Sequence, residues 1–185
     1  MKILPKKFYN RDTVQVAKDL LGKTLVRKIG NKVLTGIIIE TEAYKGKNDP
    51  ASHSSKKKTE RNKVMFDQVG MSYVYFTYGM HYCFNIVAKK DEQESGAVLI
   101  RSIQPLKGIT TMIKNRKMNI ISNLTNGPAK LTQALQITKK QYNVDLTKNS
   151  DLFIMDGIKP KKILAKPRIG IKVGIDKPWN FSFKI

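Results

Sequence analysis

Gly36-Ile-Ile-Ile-Glu40-Thr-Glu42-Ala-Tyr44-Lys-Gly46 is an apolar, β-branched run that passes directly into two carboxylates spaced two apart. β-branched residues fit a pleated, half-buried surface, so the run predicts a strand from Val33 to Tyr44. Upstream, Leu25-Val-Arg27 reads as a second strand, and Gly30-Asn31 between the two is a tight-turn signal. Alternation with period two puts Glu40, Glu42 and Tyr44 on one face. Two acids and an aromatic there point to the floor of a cleft; the plainer reading of the same pattern is a strand emerging into solvent.

Outward from this strand the pattern alternates between helix and extended chain. Asp12, with Gln15 three residues on, opens a helix whose stripe is Val16, Ala17, Leu20 and Leu21 and whose stop is Gly22. Residues 45–63 form a long polar surface loop of the functional kind, with a turn at Asn48-Asp-Pro50 and a basic run at Lys56-Lys-Lys58. The aromatic block from Tyr73 to Val87, with Gly79-Met80 at its centre, predicts a hairpin. Val98 to Arg101 reads as a strand, Gly108 to Met118 as a helix with Ile109, Met112 and Ile113 on one face, and Pro128 opens a helix carrying Leu131, Ala134 and Leu135. At the end, Arg168 to Val173 and Trp179 to Ile185 alternate. They predict two strands with Ile169, Ile171 and Val173, then Trp179, Phe181, Phe183 and Ile185, on core faces. With no repeat or linker, the 185 residues are expected to form one α+β domain: a mainly antiparallel curved sheet, a protruding hairpin and several surrounding helices.

The chain carries 35 Lys and Arg against 14 Asp and Glu, a net charge of +21. Such a surface attracts polyanions, even after allowing that part of the Lys excess, beside abundant Ile and Asn, is what an AT-rich genome writes at indifferent positions. No basic amphipathic helix, signal-type apolar segment or run approaching the ~18 residues of a membrane span is visible, so a cytoplasmic, nucleoid-associated monomer with no membrane partner is expected. Cys83, the single cysteine, reads as a buried filler. Two histidines without a His-x-x-x-His pair or a cysteine partner argue against zinc, and no metal or cofactor is expected.

Within this frame the chemistry-bearing candidates are few. His53 lies in the long loop, where a histidine is ordinarily a solvated side chain. Tyr73 and Tyr75 share a strand face and Tyr78 sits beside the hairpin turn. In a basic protein these rings suit base stacking; aromatic packing of a sheet accounts for them equally well.

Taken together, Glu40-Thr-Glu42-Ala-Tyr44, His53-Ser, Thr59-x-Arg61-Asn62, Met65-Phe66, Tyr73-Val-Tyr75, Tyr78-Gly-Met80, Cys83-x-Asn85 and Leu99-x-Arg101 resemble the alkyladenine (3-methyladenine) DNA glycosylases. The likeness runs from the helix at 14–22 through Gly127-Pro-x-Lys-Leu131 to Pro167-Arg-Ile-Gly-Ile171 and Pro178-Trp-x-Phe181. It implies a monofunctional enzyme that extrudes alkylated or deaminated purines from double-stranded DNA: 3-methyladenine, 7-methylguanine, and in a broad form hypoxanthine or ethenoadenine. By the same resemblance Tyr78 fills the gap in the duplex, Tyr44 and Tyr75 stack on the extruded base, and His53 lines the pocket. Asn85 then filters out normal guanine, Arg101 positions water and phosphate, and Glu42 activates the water that breaks the glycosidic bond. Glu40 has no comparable role and is expected to make a salt bridge or hydrogen bond at the strand end.

Two departures accompany the likeness. Ser54-Ser-Lys-Lys-Lys58 stands where relatives often have glycines, and Asn180 where they commonly have a basic residue. The second implies a lost phosphate contact that Lys56, Lys57 and Lys58 would replace. The lack of a long extension before the first helix reads as a minimal, bacterial-type core. Two other functions stay open on the sequence: a glycosylase/lyase with a lysine nucleophile, and a non-catalytic nucleic-acid-binding module with the same charge and aromatics.

Overall fold

A computed structural model describes residues 2–185. Four helices, α1 (Lys6–Tyr9), α2 (Thr13–Asp19), α3 (Ile109–Arg116) and α4 (Pro128–Ala134), pack on an antiparallel sheet. Its strands are β1 (Thr24–Ile29), β2 (Lys32–Lys45), β3 (Ser72–Thr77), β4 (His81–Val87), β5 (Gly96–Lys107), β6 (Leu152–Met155), β7 (Leu164–Lys166) and β8 (Asn180–Ser182). The main path runs β3-β4-β5-β2-β1-β6. The fold is α+β, with a curled antiparallel sheet, as the sequence predicts.

β2 organises the sheet because it is long enough to pair with three strands. Its first half pairs with β1 across the two-residue turn Gly30-Asn31, where Gly30 has φ +54°. Its second half keeps β5 on one side and takes β8 on the other, with Glu40 opposite Ser182 and Glu42 opposite Asn180. Register shifts on both sides of Glu40 mark a bulge. A bulge re-aims side chains and increases local twist, here where the two acids stand.

α2 begins as expected: the Asp12 carboxylate accepts the Val14 and Gln15 amides (3.0 and 3.2 Å). Gln15 does not close a capping box; its amide donates instead to Asp19 (3.0 Å). Val16, Ala17, Leu20 and Leu21 are buried against β2 and β5. Gly22 (φ +82°) ends this segment with its backbone against the Ile158 carbonyl, 2.2 Å from where a Cβ would stand, so both conformation and space exclude a side chain. The helices at 109–116 and 128–134 bury Met112, Leu131 and Ala134, with Pro128 in the first turn. α1, β6 and β7 escape the sequence reading because four- and three-residue elements carry too little periodicity to register.

The predicted strand at 168–173 is not formed, and residues 167–175 run as turns and bends. Ile169 and Val173 are exposed (56% and 51%), contrary to the core placement expected from alternation. The residue that goes inside is Arg168, whose guanidinium makes two bonds to Asp49 (2.6 and 2.7 Å), both side chains fully buried. A buried charge needs its partner more than Ile169 needs burial, and that pair sets the path of the segment. Phe181 and Phe183 do enter the core, and Trp179 packs on it, but Ile185 lies exposed.

Among the described residues no helix is long and apolar enough to cross a membrane.

Candidate active site

The hairpin β3–β4, the long loop after β2 and the 167–175 segment enclose a cavity of about 390 Å³. That is the size of a small-molecule pocket. Tyr44, His53, Tyr75, Asn85 and Arg101 all line it, and Tyr78 reaches its edge. Of the seven predicted site residues only Glu42 does not line the cavity, because it is fully buried behind the residues that do.

The walls are aromatic. Tyr73 and Tyr75 share a face of β3 as alternation requires, with ring centroids 5.3 Å apart. The His53 ring stands edge-on to Tyr75 at 4.6 Å, and its Nδ1 is 2.8 Å from the Tyr73 hydroxyl. The loop holding His53 is fastened from below: Asn62 donates to the His53 carbonyl (2.7 Å), and Ser52, Ser54 and Ser95 form a buried hydroxyl chain. Although His53 opens to the cleft, packing against the tyrosines strips hydration from its ring and Arg61 adds positive charge nearby. Its pKa falls from 6.5 to about 4, so the imidazole is neutral at pH 7.

Each stacking tyrosine carries a guanidinium: Arg61 lies 4.8 Å from the Tyr75 centroid, and Arg168 lies 4.7 Å from Tyr44 and 5.2 Å from Trp179. Neither guanidinium is among the residues that line the cavity. Across the β3–β4 ladder, opposite Tyr73, the Asn85 amide donates to the Tyr73 carbonyl (3.0 Å), which fixes its orientation, since only nitrogen can donate there.

The floor is ionic. Glu42 is fully buried; its Oε1 accepts the Ile169 amide (2.8 Å) and Asn180 Nδ2 (3.0 Å), and its Oε2 accepts the Tyr44 hydroxyl (2.8 Å). Arg101 Nη1 is 3.4 Å from the same Oε2. Glu40, although on the bulge, joins this network: its Oε1 accepts Arg101 Nε (3.1 Å) and Asn180 Nδ2 (2.9 Å). Burial beside the Glu42 charge pushes the Tyr44 phenol well above its ordinary pKa, keeping the hydroxyl a donor.

The expected salt bridge and hydrogen bond of Glu40 are therefore present. Asn180, which the sequence reading linked only to a lost phosphate contact, is 2% exposed and turned onto the two carboxylates. No role had been read from the sequence for Arg61, for the Asp49–Arg168 pair or for the Ile169 amide. Asp49 had one readable signal, the turn Asn48-Asp-Pro50, where its carboxylate accepts the Lys45 and Ala51 amides (3.0 and 3.3 Å).

At the mouth, the hairpin turns through Tyr78-Gly79-Met80, with Tyr78 and Gly79 both at positive φ (52° and 66°). Tyr78 and Met80 are 83% and 69% exposed.

An aromatic slot above a buried carboxylate, in a basic α+β protein, defines a nucleobase-processing site. Residues 7–184 match the methylpurine-DNA glycosylase (MPG) family, and the chain belongs to it. Relatives carrying the name "Putative 3-methyladenine DNA glycosylase" align over nearly their whole length. One from Carboxydothermus hydrogenoformans is 47% identical over 98% of this chain and 95% of its own. Others are from Methanocella arvoryzae (45%, covering 100% and 94%) and Clostridium botulinum (42%, covering 98% and 96%). The protein is a DNA glycosylase acting in DNA repair, with DNA as its substrate.

Proposed function

We propose that this glycosylase is monofunctional and excises alkylated and deaminated purines after flipping them into the aromatic cavity. The observation that carries the reading is the placement of Glu42, fully buried just outside the lining and bonded to Tyr44 and Arg101, which both line the cavity. A purine between Tyr44 and Tyr75 gains about 1–3 kcal/mol from stacking. Cationic 3-methyladenine and 7-methylguanine are further attracted by the electron-rich ring faces, an attraction moderated by the guanidinium ions on the same rings. Stacking that does not depend on lesion charge extends the range to neutral hypoxanthine and ethenoadenine. Neutral His53 adds no repulsion toward a cationic base.

In the reaction a water oxygen bonds to C1′ of the deoxyribose as the N-glycosidic bond breaks. The purine leaves with the bonding pair, and Glu42 takes the water's proton. Its negative charge also stabilises the oxocarbenium-like sugar. Both Glu42 oxygens already hold two partners, about the capacity of a carboxylate. Base entry past Tyr44 moves its hydroxyl off Oε2 and opens the acceptor the water needs. No lysine among the described residues lines the cavity, which favours water over a lysine nucleophile.

The test is single-turnover incubation with duplexes bearing one hypoxanthine or ethenoadenine, and with methylated DNA, followed by alkaline cleavage. Free base and alkali-labile sites, without a borohydride-trapped adduct, are expected. Absence of release on all three substrates refutes the reading, and a trapped adduct refutes the water mechanism.

A further inference from the structure

Two carboxylates and one guanidinium leave the cavity floor with a surplus negative charge. Arg101 reaches both acids, through Nε to Glu40 (3.1 Å) and Nη1 to Glu42 (3.4 Å), and so is divided between them. The remaining donor that touches both is the Asn180 side chain, whose single nitrogen lies 2.9 Å from Glu40 Oε1 and 3.0 Å from Glu42 Oε1. An amide nitrogen has two hydrogens, one for each bond. Trigonal geometry at that nitrogen lets it point one hydrogen at each carboxylate oxygen.

We propose that Asn180 is a positioning residue for Glu42: its NH₂ group clamps Glu40 and Glu42 as a pair of anions and holds Oε1 away from the cavity so that Oε2 faces the water. This rests on the reading of Glu42 as the base. The backbone supports the clamp. Asn180 stands opposite Glu42 in the β2–β8 register and opposite Lys166 in β7. From the other side the Ile169 amide holds the same Oε1 (2.8 Å). Glu42 Oε1 thus has two neutral donors, and the cationic and phenolic donors are both on Oε2. An amide is suited to the role because it donates at every pH and carries no charge of its own.

The charged and titratable neighbours of the clamp are Glu40, Glu42 and Tyr44 on β2, Arg101 on β5 and Lys166 on β7. Cys83 on β4 borders the cavity, the Asp49–Arg168 pair lies beside Tyr44, and Lys18 of α2 lies over the adjacent Phe181 ring (5.3 Å). Apart from the Asp49–Arg168 pair, which bonds within itself, only the two glutamates, Arg101 and the Tyr44 hydroxyl of these groups bond directly to one another or to Asn180. A change of charge at position 180 therefore acts first on the carboxylate pair.

The experiment measures single-turnover base release against pH for the wild-type protein and for Asn180→Arg, Asn180→Leu, Asn180→Asp and Glu42→Gln, with affinity for abasic-site duplex measured in parallel. The acid limb of the rate profile is expected to move to higher pH in the order Arg, Asn, Leu, Asp at position 180. Asn180→Leu should lose roughly tenfold or more in rate at pH 7 while abasic-site binding stays unchanged, the scale of a lost hydrogen bond to a charged group. Should Asn180→Leu fail to fold, the order of Arg, Asn and Asp carries the same test. An acid limb independent of the residue at 180, or rate losses that follow thermal stability instead of side-chain charge, overturns the proposal. A Glu42→Gln protein that still releases base overturns the underlying assignment instead, and the two failures are thereby separate.

Discussion

The floor of the cavity and the tip of the hairpin are built on opposite principles. At the floor every polar group of Glu42 has a partner, Asp49 and Arg168 are sealed from solvent, and three separate segments of chain converge on β2. At the tip, Tyr78 and Met80 lie in water with Tyr78 held at positive φ, an uncommon conformation for a residue other than glycine. The fold gains no burial from these side chains, which is the expected condition of a group that makes its contacts in another molecule. On the proposed function, the difference separates what must be rigid, the carboxylate that would meet a water, from what would stay free until DNA arrives.

The sharpest way to break the comparison is at Glu42. Glu42→Gln should lower single-turnover excision by roughly 10²–10⁴-fold, the usual worth of a general base, with affinity for lesion duplex retained; equal losses in both would remove it from the chemistry. Next is the floor's scaffold. Asp49→Ala strands the buried Arg168 charge, whose Nε already lacks a partner, and should cost about 3–5 kcal/mol in denaturant unfolding. A cost within a few tenths would mean that the ion pair does not set the 167–175 path.

At the tip the expectation inverts. Tyr78→Ala should weaken binding to abasic-site duplex by about 1–3 kcal/mol, as for a lost stacking platform, and leave thermal stability where it was. A fall in stability would show that the ring serves the fold.

The smallest effect belongs to His53. Its folded-state pKa of about 4 lies below the ordinary 6.5, so the unfolded chain binds the proton more readily. The stability gained from keeping it neutral is complete above pH 6.5 and is lost as pH falls from there through 4. His53→Gln should flatten that part of the stability–pH curve; an unchanged curve would assign the acid sensitivity elsewhere.

Much of the site was legible because its residues sit on elements with strong local signals. Glu42 and Tyr44 follow from strand alternation, Tyr73 and Tyr75 from the same rule one hairpin later, and Tyr78 from a turn that glycine marks. Their roles came from the family likeness, not from the pattern. Alternation also misled. Ile169 and Val173 look like one strand face, yet the Arg168 between Pro167 and Ile169 is drawn inward by Asp49, more than a hundred residues earlier. A contact across that separation leaves no period in the sequence.

Composition, alternation and turn residues by themselves determined an antiparallel α+β domain with a polyanion-attracting surface and an aromatic hairpin, because each of these is local or additive. Alternation left the two acids equivalent and the family likeness gave them different roles; only the tertiary structure showed how their surroundings differ. It buried Glu42 under Tyr44, left Glu40 on a bulge, and brought Arg101 from β5 and Asn180 from β8 to both. Ionisation and water access at a carboxylate depend on donors within about 3 Å, and which donors those are is decided by strand pairing across the whole chain.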